Sequence, residues 1–193
     1  QHITADIAYA ISRYLHVTGD QAFLRDYGAE IVFLGARFWA SRVEYSSDLD
    51  CYVIRNVIGP DEYKEHVDNN YYTNFLVQKH LLFALELLAN PVYKQVLDTW
   101  DITEKETRRW NEVAEKIRLP RQGDLREQFD GFFELSEIDV LKYLDTPGAL
   151  QKVYSWREIN QAQVLKQADV IMLLHLFHDQ FTSKEKMDNW DFY

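Results

Sequence analysis

The sequence predicts an all-α fold with minor β, in which long helices pair through short turns and carry long, elaborate loops, as in an α-helical toroid. Three observations lead there. Apolar residues recur at helical spacing over most of the chain, and glycine, proline or Asx residues stop each such run. Only one short segment alternates in the manner of a strand.

The elements follow in order. Ile7, Ala10, Ile11, Tyr14 and Leu15 mark a first helix that stops at Thr18-Gly19-Asp20. Phe23, Tyr27, Ile31, Leu34, Phe38 and Val43 mark a second, longer one, expected to lie antiparallel to the first. Between Ser46 and Pro60 the β-branched residues Val53, Ile54, Val57 and Ile58 predict a short strand and a turn at Gly59-Pro60. A third helix is expected from about Asn70 to Leu88, where Asn90-Pro91 ends it, since proline lacks the N–H that a helix needs. Thr103 and Glu106 have capping-box spacing and should open a helix reaching Ile117 or Leu119 before Pro120. From Arg121 to Trp156 the pattern is that of a meandering connection, yet Phe129, Phe132, Phe133, Tyr143 and Tyr154 need somewhere to bury their rings, so an ordered, packed segment is expected. A helix apolar nearly all round, and therefore buried, is expected from about Ala162 to Phe177, and a terminal helix containing Trp190 from Thr182 or Ser183.

Composition narrows the function. The 193 residues are 47% hydrophobic, enough for a sizeable core. A net charge of -10 and the lack of a Lys/Arg cluster argue against nucleic acid. Cys51 is the single cysteine, so neither an internal disulfide nor a cysteine-based zinc site can form, which fits a cytoplasmic protein. No apolar run approaches the ~20 residues of a membrane span, so no membrane partner is expected. The chain opens at Gln1, without methionine and already leading into a helix, which suggests a portion of a longer domain.

The most unusual stretch runs from Asn56 to Asn74 and includes Gly59-Pro60-Asp61-Glu62-Tyr63, His66, Asp68-Asn69-Asn70 and Tyr71-Tyr72. Acids and amides match sugar hydroxyls, and aromatic faces cover the apolar faces of a sugar ring. Asp61, His66 and Asn70 are accordingly candidate substrate-binding residues. Asp68, Asn69 and Asn70 would equally suit the cap of the next helix, and His66 could be a loop histidine with a satisfied hydrogen bond. The Glu62-x-x-x-His66 spacing does not imply zinc, since a third ligand is not evident. His80, His175 and His178 fall on helices and are expected to be structural or solvent-facing.

Gly59-Pro60-Asp61-Glu62-Tyr63, followed by Val67-Asp68-Asn69-Asn70 and Tyr72-Thr73-Asn74, resembles the central signature of glycoside hydrolase family 65, which contains maltose, kojibiose and trehalose phosphorylases. His2-Ile3-Thr4-Ala5-Asp6-Ile7-Ala8-Tyr9, Gly28-Ala29-Glu30 with Ala36-Arg37-Phe38-Trp39-Ala40-Ser41-Arg42, and Lys166-Gln167-Ala168-Asp169-Val170 are similar to segments of the same family in the same order. The resemblance implies that residues 1–193 are a portion of a single catalytic (α/α)6 barrel cut at both ends. It implies an inverting attack of inorganic phosphate on an α-glucosidic disaccharide, releasing β-glucose 1-phosphate and a sugar, with no metal or organic cofactor, in an enzyme expected to be a homodimer at full length. Carried over, the motif makes Glu62 the general acid and sets Lys166 and Gln167 against hydroxyls of the transferred glucose. A Trp-Asp substrate segment would precede Gln1, and a serine- and histidine-containing phosphate segment would follow Tyr193.

The chemistry suits those residue types. A departing glycosidic oxygen must receive a proton, which a carboxylic acid of raised pKa can give. Asp61, Glu65 and Asp68 are expected to raise the pKa of Glu62 by like-charge repulsion. Lys166 and Gln167 are expected at the inner end of the buried helix, the plain alternative being that they reach out to solvent. Two other readings stand beside the phosphorylase. An inverting α-glucoside hydrolase would need a second carboxylate roughly 6.5–9.5 Å from the acid. A non-catalytic sugar- or protein-binding module would leave Glu62 exposed and turned from any cleft.

Overall fold

The computed structural model describes residues 2–97, 99–143, 145 and 148–193, so that Gln1 lies outside the described residues. The fold class is all-α with minor β, as the periodicity predicts. It divides into two compact units, Gln1–Ile54 with Thr73–Arg118, and Arg55–Tyr72 with Leu119–Tyr193. No described helix is long and apolar enough to cross a membrane.

In the first unit the helix Ile3–Thr18 buries Ala5, Ala8, Ile11 and Leu15 and stops at the left-handed Gly19, whose N–H returns to the Leu15 carbonyl at 2.8 Å. Ile7 and Tyr14, read as part of its core stripe, lie on the open side. Asp20 caps the next segment by accepting from the Phe23 N–H, and the chain runs from Gln21–Phe23 through a π-helical turn, Leu24–Gly28, into the helix Ala29–Arg42. That turn corrects the expected face. A π turn inserts a residue and rotates everything after it, so the uniform 3.6-residue stripe drawn through Tyr27, Ile31, Leu34 and Phe38 ends on the exposed side. Leu24, Ala29, Val32, Phe33, Ala36 and Trp39 are buried instead.

The helix Tyr71–Ala89 adds Leu76, Val77, Leu81, Ala84 and Leu87 to this core. Thr103 and Glu106 form the expected reciprocal cap of the helix Glu104–Lys116. Its Trp110 stacks on Phe33 at 6.2 Å and 14°, and Trp100 meets the same ring edge-on at 5.5 Å. Each such buried ring contributes about 1.5–3 kcal/mol from area alone, so this aromatic cluster outweighs the exposed ion pairs around it. Arg37 Nε donates to Glu106 Oε1 at 2.6 Å, tying Ala29–Arg42 to Glu104–Lys116, and holds the Glu106 carboxyl down to about 2. The expected strand is a small antiparallel ribbon, Glu44–Ser46 with Cys51–Val53, in register Glu44↔Val53 and Ser46↔Cys51.

In the second unit, Tyr63, Ile159, Ala162 and Val164 form a buried cluster, with Ile138, Leu150 and Tyr154 packed on it. The meandering segment is ordered and aromatic-rich: Phe129 and Phe132 meet edge-on at 5.3 Å, and Tyr143 and Tyr154 at 6.1 Å. A two-residue ribbon, Arg121–Gln122 with Leu125–Arg126, is held to the terminal helix Ser183–Phe192 by the buried Asn189, which accepts from the Arg126 N–H and donates to the Asp124 carbonyl. Thr182 caps that helix with Glu185.

The helix expected from Ala162 is shorter, Asp169–Leu176, and is not buried all round, since Met172 and His175 are exposed. The reason lies in the backbone. The Gln163 N–H donates to the Ser136 carbonyl, and the N–H groups of Lys166 and Gln167 are taken by the Asp61 carboxylate. Donors engaged outside the segment keep it from turning helical before Asp169.

Candidate active site

The site is built on the loop that follows Arg55, and its base is closed first. Val57 and Val67 exchange both backbone hydrogen bonds, at 2.9 and 3.0 Å, so the residues between them form a pinched loop. Asn56 and His66 flank this closure in left-handed conformation, φ 56° and 58°, and His66 Nδ1 lies 2.7 Å from Asn56 Oδ1. Asp68 accepts from the Asn56 N–H. The main task of His66 is therefore at the base of the loop, and among the described residues it is not one of the groups gathered at Glu62.

Inside the loop Asp61 is fully buried and organises what surrounds it. Its Oδ1 accepts from the N–H of Tyr63 at 3.1 Å, Lys166 at 3.0 Å and Gln167 at 3.4 Å, and its Oδ2 accepts from Gln128 Nε2 at 2.9 Å. A buried carboxylate is costly unless N–H groups surround it, and here four do. This residue, expected to touch sugar, instead clamps the chain at Lys166-Gln167 beside Glu62.

Glu62 projects from that clamp with its side chain 63% exposed, and Lys166 Nζ donates to its Oε2 at 2.6 Å. Gln167 Oε1 accepts from the Glu62 N–H at 3.3 Å. Exposure alone would suit an idle surface carboxylate; the ion pair and the converging amide would not. The expectation of a raised pKa is corrected. The hydrogen bond and the charge of Lys166 hold the Glu62 carboxyl below its ordinary value, because an ammonium in contact outweighs carboxylates that do not touch it. Glu62 in turn raises Lys166. Lys166 and Gln167 do not sit at the inner end of a helix, as expected, but in the bent, non-helical segment before Asp169–Leu176.

Below the loop lies a second buried layer that the sequence did not reveal. Asn70 Nδ2 donates to the Gln128 carbonyl at 3.2 Å and to Asp169 Oδ2 at 2.8 Å, so this amide is structural in the free protein. Gly59 runs so close above that a Cβ there would fall 2.5 Å from Asn70 Nδ2 and from Asp169 Oδ2; glycine is the one residue that fits. Lys64 is buried as well, its ammonium donating to the carbonyls of Ile159, at 2.8 Å, Asn160 and Ala162, while burial lowers its pKa to about 8. Asp169 was visible only as part of a motif, and nothing in local spacing marked Gln128 or Lys64.

Among the described residues, no group of three His, Cys, Asp or Glu side chains could hold a metal ion. The site thus comprises one exposed carboxyl, one ammonium and one amide, carried on a rigid polar underlayer. An exposed carboxyl beside an ammonium and an amide is a set of groups that can hold hydroxyls and pass a proton.

The comparisons give the family. The chain belongs to glycoside hydrolase family 65: the family's central catalytic domain matches residues 1–193. The kojibiose phosphorylase of Halothermothrix orenii is 46% identical over 201 residues, covering 100% of this chain and 26% of that protein. The maltose phosphorylase of Bacillus subtilis is 34% identical, with coverage of 100% and 26%. A solved structure from the human microbiome that carries kojibiose phosphorylase in its name superposes with a TM-score of 0.88 at 28% identity, covering 98% of this chain and 27% of that one. The chain therefore spans about a quarter of the length of the curated relatives it matches.

Proposed function

We propose that this chain supplies the proton donor of a glycoside phosphorylase, as part of a single catalytic helical barrel domain, with Glu62 as general acid. The observation that carries the reading is the Glu62–Lys166 pair at 2.6 Å, set on the buried Asp61 clamp. The reaction is the inverting phosphorolysis of an α-glucosidic disaccharide of the kojibiose, maltose or trehalose type. Phosphate attacks the anomeric carbon from the face opposite the leaving oxygen, and Glu62 protonates that oxygen as the bond breaks, leaving β-glucose 1-phosphate and a free sugar.

In the free protein Lys166 keeps Glu62 ionised, so the acid must be made. Sugar hydroxyls accept from an ammonium, and a glucose unit bound by Lys166 and Gln167 competes with Glu62 for that donor. Losing it raises the carboxyl and lets it take up the proton it will deliver. No metal or organic cofactor is called for, since phosphate is itself the nucleophile. A hydrolase would need a second carboxylate to activate water. Asp61 is poorly placed for that, being buried and occupied by N–H groups. The enzyme is proposed to work in the cytoplasm and, at full length, as a homodimer.

Kojibiose is the substrate to try first, with maltose and trehalose beside it. Incubating the intact protein with each, with and without phosphate, should give β-glucose 1-phosphate only when phosphate is present. Glu62→Gln should lower kcat by about 10²–10⁴-fold. Free glucose released equally without phosphate would make the protein a hydrolase; full activity in Glu62→Gln would remove the acid from Glu62.

A further inference from the structure

Asp169 is fully buried at the first position of the helix Asp169–Leu176, and the chemistry above does not use it. Its Oδ2 takes the Asn70 amide at 2.8 Å, and the backbone N–H of Asp61 also bears on its carboxyl. Gly59, two residues before Asp61, passes directly over it, close enough that an added methyl would stand 2.5 Å from Oδ2. Three residues before it is Lys166, whose backbone is fixed by Asp61. Asp169 thus underlies both segments that form the Glu62–Lys166 pair.

We propose that Asp169 is a positioning residue for Glu62: together with Asn70 it supports the Gly59–Asp61 backbone from beneath and so sets where the Glu62 carboxyl stands. The proposal rests on the reading of Glu62 as the general acid. Removing the carboxyl leaves a void under Gly59 and strips the Asn70 amide of one acceptor, so the turn can settle. A displacement of about 1 Å at a proton donor can cost about 10²-fold. Burial first, and the neighbouring Asp61 carboxylate with it, push its carboxyl up to about 7, while the Asn70 amide opposes the rise, so the neutral form predominates below that pH. Asparagine, of the same shape and uncharged, should therefore replace it well.

The test uses two substrates that differ in their need for a proton. A disaccharide releases a sugar alkoxide and depends on the acid; α-glucosyl fluoride releases fluoride and hardly does. In the intact protein with phosphate, Asp169→Ala should lower kcat on the disaccharide by about 10–10²-fold with KM within about threefold, and by less than about threefold on the fluoride. Asp169→Asn should recover most of the loss. Equal losses on both substrates, or no loss, would overturn the proposal. Should Asp169→Ala not fold, Gly59→Ala presses on the same contact from above; a loss confined to the disaccharide supports the proposal and an equal loss on both sinks it. Glu62→Gln run alongside separates the two ideas, since its retaining full disaccharide activity removes the acid reading itself, whatever Asp169 does.

Discussion

Lys166 holds the protonation state of Glu62 in its ammonium, and this can be read from pH profiles. The kcat/KM profile reports the free protein, where contact with Lys166 keeps the Glu62 carboxyl low. Lys166→Met removes the cation, so the carboxyl should rise and stay protonated to higher pH. With Glu62 in its proposed role, the basic limb of kcat/KM should then move to higher pH than in the parent. An unmoved limb would mean that Lys166 does not govern the acid. The neighbouring Lys64 is a different kind of cation. Its three carbonyl acceptors fasten the turn at 159–162, and its work is done in the interior.

Elements carry the next level of constraint, and Gly35 shows how packing outweighs propensity. It lies in the middle of Ala29–Arg42, where alanine would normally gain about 0.5–1 kcal/mol of helix stability. A Cβ there, however, would fall 2.4 Å from His80 Cε1, and the ring is held by the Val32 carbonyl at 2.8 Å. Overpacking of that kind costs about 1–3 kcal/mol, so Gly35→Ala should lower stability despite the gain in propensity. A thermal midpoint at or above the parent's would refute this. The loop from Val57 to Val67 obeys the same logic: its closure by a bridge and its glycine pressed on Asn70 and Asp169 matter more than any preference of its residues.

For the molecule as a whole, two buried groups set opposite responses to pH in the two units. In the first, burial pulls His80 down to about 4 from 6.5. The unfolded chain then binds more protons between those values, and stability is lost as pH falls through that window. In the second, Asp169 is pushed up from 3.8 to about 7, with Asp61 and Tyr193 among the groups near it. There the folded state binds more protons, and stability is lost as pH rises from about 4 to 7. At about 1.4 kcal/mol per pH unit, the two effects are each on the order of 3–5 kcal/mol. Hydrogen exchange corrected for intrinsic rates should show protection around His80 weakening toward pH 4 and protection around Gly59–Asn70 weakening toward pH 7. His80→Leu and Asp169→Asn should each flatten the response of their own unit. Parallel responses in both units would contradict the assignment.

By itself the sequence determined the all-α class, the capping of Glu104–Lys116, the start of the terminal helix at Thr182 or Ser183, the stop at Gly19 and, through its motifs, the family. These are local properties, written in residue spacing, hydrogen-bonding side chains near helix ends and short signatures. Only tertiary structure decided which apolar face of Ala29–Arg42 is buried, because a π turn re-phases the helix and both faces are apolar. It also decided that the backbone from Gln163 to Gln167 is not helical, since the N–H groups of Gln163, Lys166 and Gln167 are claimed by residues far away in sequence. Asp61, Glu62, Asn70, Lys166 and Gln167 were legible as candidates. Their arrangement as an exposed pair over a buried layer of Asp61, Gln128 and Asp169 was not. Partners about 100 residues apart leave no local signal, and the charge a carboxyl carries depends on what folding places against it.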